Sequence, residues 1–207
     1  MKLKKLQSLL KKGLALLTFF LTLTGGTMNS FGGCLEDAAV RYGVSPLLLE
    51  AIALVESGAN PFTVGIKAEP KEAQLLRKLF DEAGVPYVLT KQSNYWVLSV
   101  FPESQGRASW VIKVAADLAV TYDAGLMQIN KLWIDRYNLE PEWLLDKCYA
   151  YEWGAFVLSR MIKRYGYSWE AIWHYNGRRD YAVKVFRKVK KLCRERYRSE
   201  PYCKRFN

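Results

Sequence analysis

The spacing of apolar and polar residues along the chain predicts a succession of short helices broken by one strand-rich stretch. A helix is expected over 34–43, stopping at Gly43, and a second over 46–57. Ser45-Pro46 supplies an N-cap and a first-turn proline for the second helix, and Gly58 followed by Asn60-Pro61 ends it. Leu48, Leu49, Ile52, Ala53 and Val55 surround nearly its whole circumference, the mark of a buried helix, and Glu56 lies in its last turn. Between 64 and 119 the pattern changes. An amphipathic helix over 69–83, closed by Gly84, precedes two Val-, Tyr- and Trp-rich strands over 86–91 and 95–101 around Gln92-Ser93-Asn94. A helix over 105–118 follows, so this stretch reads α-β-β-α, enough for a small sub-domain. Helices are expected again around 125–137, 150–165, 169–175 and 181–197. The sequence contains no internal repeat and no low-complexity segment.

The first 32 residues follow another rule. A lysine-rich start leads into an uncharged apolar run of about 11 residues, short of the roughly 20 that a spanning helix needs. Small residues follow, which is the pattern of a secretory signal peptide with cleavage after Gly32. An uncleaved anchor is the alternative, and Phe31-Gly32-Gly33-Cys34 makes only a poor lipoprotein site. Export implies an oxidising compartment in which Cys34, Cys148, Cys193 and Cys203 would pair. Four cysteines allow three connectivities, with free buried thiols as a further possibility. The short separation of Cys193 from Cys203 favours that pair, leaving Cys34 with Cys148.

The 207 residues suit one globular domain with an embellishment, and the net charge of +11 first suggests a polyanionic partner. Its distribution changes that picture. Residues 1–32 hold five Lys and no acid, and residues 177–207 hold twelve basic and three acidic side chains. The middle of the chain is slightly acidic, so nucleic acid is not an expected partner. In the basic tail, Val185, Val189 and Leu192 can pack on the domain while the charged face meets anionic phospholipid or wall polymer. The single His174 argues against a Ser-His-Asp triad and a His-rich metal site, no CxxC pair suggests a zinc ribbon, and neither metal nor cofactor is expected.

Three motifs carry chemistry: Val55-Glu56-Ser57-Gly58, then Tyr122-Asp123-Ala124-Gly125-Leu126-Met127-Gln128-Ile129-Asn130, then Ala171-Ile172-Trp173-His174-Tyr175-Asn176-Gly177. A carboxyl at the end of an apolar helix is partly desolvated, which raises its pKa and suits a general acid. The bland alternative is a surface Glu at a frayed helix end. Asp123, ahead of a glycine and a helical run, reads as an N-cap rather than a second catalytic carboxylate. His174 reads as a packing residue.

In this order the motifs resemble the lytic transglycosylase family with the SLT-type, lysozyme-like domain. The nearest likeness is to the small exported members that accompany type III and type IV secretion, conjugation and pilus systems. Asp146-Lys147-Cys148-Tyr149 followed by Gly154-Ala155 is similar to those members too. The resemblance implies a mainly helical α+β fold with the lysozyme-like domain at 33–65 and 120–177, the α-β-β-α insertion at 66–119 and a basic tail at 178–207. It implies peptidoglycan as substrate, in the periplasm or cell envelope, with secretion or pilus machinery as a possible partner. Glu56 matches the catalytic acid, acting on the bond between N-acetylmuramic acid and N-acetylglucosamine and then serving as base to give a 1,6-anhydro end. Tyr175 matches the tyrosine that orients this carboxyl. Met127 and Gln128 match residues lining the sugar cleft, and Ser57 and Asn176 sit beside the catalytic pair as candidate substrate contacts. A goose-type lysozyme, hydrolysing the same bond on the same fold, is the alternative. The 69 positions between Glu56 and Gly125 depart from the compact members, so the insertion must leave near the cleft as a lid, a substrate grip, a docking surface or a tolerated loop.

Overall fold

The computed structural model describes residues 33–201 and 203–206, so the expected signal peptide lies outside the described residues. Helices α1 (Cys34–Tyr42) and α2 (Pro46–Glu56) open the chain. Gly43 takes the left-handed conformation that stops α1, and the Ser45 side chain accepts from Leu48 N–H at the start of α2. Seven consecutive residues of α2, Leu47–Ala53, are buried, as its all-round apolarity requires.

Strand β1 (Val64–Ala68) follows, then α3 (Pro70–Ala83), β2 (Tyr87–Lys91), β3 (Trp96–Val100), α4 (Gln105–Asp117), β4 (Thr121–Ala124) and the short β5 (Ile129–Asn130). The strands form one antiparallel sheet in the order β2-β3-β1-β4-β5. β1 crosses the boundary expected at 65/66, and the hairpin of the 66–119 stretch extends the sheet through β3 beside β1. On β1 the residues Val64, Ile66 and Ala68 turn into the core while Gly65 and Lys67 take the other face, the period of two made literal. The pattern missed β1 because a five-residue strand containing Gly and Lys carries little propensity of its own.

The helix expected over 125–137 is a correction: only α5 (Lys131–Tyr137) is helical. Gly125 and Gln128 both have left-handed backbones, φ +76° and +47°, which no helix accommodates. A Cβ on Gly125 would collide with the Leu144 carbonyl oxygen, so glycine is required there both for its φ and for that approach. A 3₁₀ turn (Pro141–Leu145) leads into α6 (Lys147–Tyr165), capped by the Asp146 side chain, and α7 (Trp169–Asn176) ends at left-handed Gly177.

The basic tail is a structural helix. In α8 (Arg179–Glu195) the residues Tyr181, Ala182, Val185, Val189 and Leu192 are buried, and the helix packs on α2 and α7. Its charged residues occupy the opposite face, as its period implies. Both expected disulfides form. Cys34–Cys148 ties α1 to the start of α6, and Cys193–Cys203 ties α8 to the closing 3₁₀ turn. Among the described residues no single helix is long and apolar enough to cross a membrane.

Candidate active site

The first and second motifs are sewn together by short polar links. The Ser57 hydroxyl lies 2.7 Å from the Leu126 carbonyl and 3.2 Å from that of Ala53. Gly125 N–H donates to the Thr63 carbonyl at 3.0 Å. The Gln128 side-chain amide donates to the Thr63 and Gly125 carbonyls at 2.9 and 2.8 Å, closing the turn on itself. Gly65 makes room for that amide, since a Cβ there would stand 2.9 Å from the Gln128 Oε1. These bonds hold the C-terminal end of α2, and with it Glu56, against the sheet.

The third motif closes the other side. The Tyr175 hydroxyl donates to the Met127 carbonyl at 3.0 Å, and Asn176 Nδ2 donates to Glu56 Oε1 at 3.4 Å. Glu56, Asn176, Arg178, Asp180, Tyr181 and Lys184 surround a cleft of about 160 Å³. Helix α8 thus contributes one wall of the site.

These positions redistribute the expected roles. Glu56 and Asn176 meet in the cleft. Met127 was expected to line it, but its side chain is fully buried against Gly154, and its carbonyl receives Tyr175. Ser57 and Gln128 are half-buried and engaged with backbone carbonyls, so both serve as braces in this structure. Tyr175 reaches the Met127 carbonyl rather than the carboxyl, although it is close enough to Glu56 for that charge to raise its pKa. His174 stacks on Tyr165 with ring centroids 3.8 Å apart, which is the packing role expected of it.

Asp123 is a second correction. It is no N-cap, for it lies in β4 opposite Gly65 and accepts a hydrogen bond from Asn130 Nδ2. Asn130 is the residue that caps α5. Tyr181, on the buried stripe of α8, is not among the site residues that the sequence motifs point to. Its hydroxyl is buried beside the Glu56 carboxyl, outside strict hydrogen-bonding geometry but near enough to favour the carboxylate. The signal was available: a polar atom on the buried stripe of an amphipathic helix must find a partner.

The electrostatics follow from this packing. Burial is the largest influence on Glu56 and lifts its pKa from 4.5 to about 7. The Tyr181 hydroxyl opposes the shift, the Asp123 charge adds to it, and Asn176 and Lys184 oppose it more weakly. An edge of Glu56 still meets solvent in the cleft, so the carboxyl remains reachable. Burial likewise lifts Asp123 to about 6, against the hydrogen bond from Asn130 and the charge of Lys67. Tyr175 and Tyr181 are pushed well above 10 by burial, so both stay protonated near neutral pH. The cleft therefore offers a carboxyl able to hold or release a proton near pH 7, flanked by the neutral Tyr181 hydroxyl and Asn176 amide and by the charged Arg178, Asp180 and Lys184.

A mainly helical α+β fold with a small antiparallel sheet, and a lone half-buried glutamic acid closing its central helix, define a lysozyme-like domain. The sequence model of the transglycosylase SLT domain matches residues 33–197, and the chain belongs to that family. Among curated proteins it is similar to the invasion protein IagB of Salmonella typhimurium (strain SL1344), 40% identical over 83 residues, covering 34% of this chain and 52% of the relative. The X polypeptide of Escherichia coli is 36% identical over 87 residues, covering 39% of this chain and 47% of the relative. The chain spans about half the length of the curated relatives it matches. No solved structure matches it.

Proposed function

We propose that this protein is an exported peptidoglycan lytic transglycosylase. The observation that carries the reading is Glu56, a single carboxyl with a pKa of about 7 on the floor of a cleft in an SLT domain. Protonated Glu56 gives its proton to the glycosidic oxygen between N-acetylmuramic acid and N-acetylglucosamine as the C1–O bond breaks. The positive charge developing at muramic C1 is met by the cleft, with the substrate's 2-acetamido group standing in for an enzymic nucleophile. The Glu56 carboxylate then accepts the proton of the muramic C6 hydroxyl, whose oxygen bonds to C1. A 1,6-anhydro end results, no water is consumed, and the enzyme regains its proton. One group can alternate between acid and base only if neither form is strongly disfavoured at the working pH, which a pKa near 7 satisfies. Asn176 holds the carboxyl from α7 and Tyr181 supports its charged form from α8.

Two disulfides suit a periplasmic or envelope location, where thiols are oxidised. Similarity to a protein named for invasion supports local wall opening for a secretion or pilus machine. The outward charge of α8 supports a contact with anionic membrane or wall polymer.

Asp123 favours a second reading. Its carboxyl influences Glu56 and has a pKa of about 6, so it would be ionised when Glu56 is not and could draw a proton from an attacking water. That enzyme would be a muramidase of the goose-lysozyme kind. Mass analysis of fragments released from purified wall decides, because anhydro ends are one water lighter than hydrolysed ends. The expected outcome is anhydro ends from the native protein and none from Glu56→Gln. Cleavage retained by Glu56→Gln would overturn both readings.

A further inference from the structure

At the opposite end of α2 from Glu56, the starts of α2 and α7 and the end of α6 enclose an apolar hollow of about 190 Å³. Leu48 and Ile172 are buried in its wall, and half-buried Ile162 joins them. Tyr167 and Trp169 stand beside it with 65% and 46% of their surfaces open to solvent. Leaving two large rings in water forfeits the free energy that covering them would release. Each ring also carries a polar atom, so each suits a boundary that is apolar on one side and wet on the other.

A basic groove continues from the hollow. Trp169 meets Phe186 of α8 edge-on, with ring centroids 5.2 Å apart. The Lys190 ammonium lies 5.9 Å from the centre of that Phe186 ring. Lys190 in turn lines a groove of about 420 Å³ with Arg187, Lys191, Arg194 and Glu195. Glu195 is paired with Lys191 at 3.7 Å, and Glu170, next to Trp169, lies 3.8 Å from His174. Cations therefore outnumber acids in the groove. Hollow and groove form one surface, joined through Phe186.

Charge complementarity asks for an anionic partner. The hollow falls below the roughly 300 Å³ at which pockets for small molecules begin. A docked peptide helix would need a row of anchor pockets, and an extended peptide would need unpaired backbone groups. One hollow is not a row, and the backbone of α7 and α8 is already bonded within those helices. An anionic lipid surface needs neither. Its phosphates meet cations on a convex helix, and Trp and Tyr rings settle at the level of its headgroups.

We propose that the face formed by Tyr167, Trp169 and the outer side of α8 docks the protein on an anionic phospholipid membrane. The two rings enter the headgroup layer, and Arg187, Lys190, Lys191 and Arg194 meet lipid phosphates. The rings give the docked protein an orientation that scattered cations alone would not. From Leu48 at the hollow to Glu56 in the cleft, α2 rises about 12 Å at 1.5 Å per residue. Helix α7 runs from Trp169 at the same face to Asn176 in the cleft. Docking thus holds the cleft about one short helix away from the lipid. None of this depends on the transglycosylase reading.

Vesicle binding tests it. The chain from Gly33 onward carries the whole described fold and omits the lysine-rich leader, which would bind anionic lipid by itself. It is sedimented at about 0.1 M salt with vesicles of phosphatidylglycerol and phosphatidylethanolamine, and with vesicles of phosphatidylcholine alone. The protein should bind the first and not the second. Arg187→Glu and Lys190→Glu should each weaken binding about tenfold or more, since one cation near an anionic surface is worth about fivefold and reversal counts it twice. Brominated acyl chains should quench the native tryptophan fluorescence. Trp169→Phe keeps a ring against Phe186, so it should still bind but lose much of that quenching. Absence of binding to anionic vesicles, equal binding to phosphatidylcholine, undiminished binding by both reversals, or unchanged quenching in Trp169→Phe overturns the docking face. Retention by purified wall or by polyglutamate without vesicle binding overturns it too. If vesicles bind as expected and no glycan is cleaved, the docking face stands and the transglycosylase reading falls. If glycan is cleaved with no vesicle binding, the reverse holds.

Discussion

Replacing Glu56 with Gln should make the folded protein more stable, by an amount that depends on pH. In the unfolded chain this carboxyl ionises at its ordinary 4.5, while burial holds it near 7 in the fold. Below pH 4.5 it is neutral in both states and adds nothing. As pH rises the unfolded chain gains from ionising first, and the native state falls behind until pH passes about 7, where the whole penalty is present. At 1.36 kcal/mol for each pH unit between the two values the penalty is roughly 3 kcal/mol, and the edge of Glu56 that meets solvent brings it closer to about 2. Glutamine keeps the shape and can still accept from Asn176 Nδ2, so the substitution removes the ionisation and little else. Urea unfolding at pH 5 and pH 8 measures the effect. The variant should exceed the native protein by about 2 kcal/mol or more at pH 8 and by less than about 1 kcal/mol at pH 5. Equal stabilities at pH 8, or a gain independent of pH, would show that the carboxyl is not desolvated and would remove the basis for its acid role.

Tyr181→Phe removes the hydroxyl that favours the Glu56 carboxylate, so the Glu56 pKa should rise and the alkaline limb of the pH–rate profile should move to higher pH. Because that hydroxyl makes no strict hydrogen bond, stability at pH 5 should change by less than about 1 kcal/mol in the same unfolding assay. The two disulfides should contribute unequally. Cys34–Cys148 closes a separation of 114 residues and Cys193–Cys203 one of 10, for which chain entropy gives about 5 and about 3 kcal/mol respectively. Paired Cys→Ser replacements followed by thermal melting should rank in that order, and the reverse ranking would contradict the entropic account.

The parts of this fold legible in the sequence are those fixed within one turn of chain. Helix α2 was legible because Ser45, Pro46 and Gly58 punctuate an apolar run that no exposed helix could carry. The β2–β3 hairpin was legible from its Val, Tyr and Trp content. The turn Gly125–Gln128 was not, because its apolar residues imitate a helix. Its shape comes from contacts made by distant chain, namely the Leu144 carbonyl against Gly125 and the Thr63 carbonyl bound to Gln128. Glu56 was legible as a carboxyl on an apolar helix. Asp123 and Tyr181 were not, since each becomes part of the site only when β4 and α8 are brought to the end of α2.

The basic tail illustrates how far a charge count can mislead. Its twelve cations suggested an attachment face on a helix that packs on the domain through Val185, Val189 and Leu192. That packing forms, and α8 also carries Tyr181 to the Glu56 carboxyl and, at its far end, sets Arg196 on Glu50 of α2. Glu50 is itself buried and also accepts from the Tyr197 hydroxyl at 2.8 Å. A buried carboxylate without such partners would cost several kcal/mol, so the end of the tail is part of what lets α2 fold as it does. Lys184, on the same helix, faces the cleft and holds the Glu56 pKa down, against the lift that burial gives. One helix thus supports the acid's position, its proton affinity and the outward charge together. Cutting the chain at Gly177 would remove Tyr181 and Lys184 from around Glu56 along with the cations, so loss of activity on truncation would not identify an attachment role. Reversing outward charges singly, as in Lys191→Glu, separates the two: an attachment role predicts weaker, salt-sensitive binding to wall with unchanged turnover of soluble glycan.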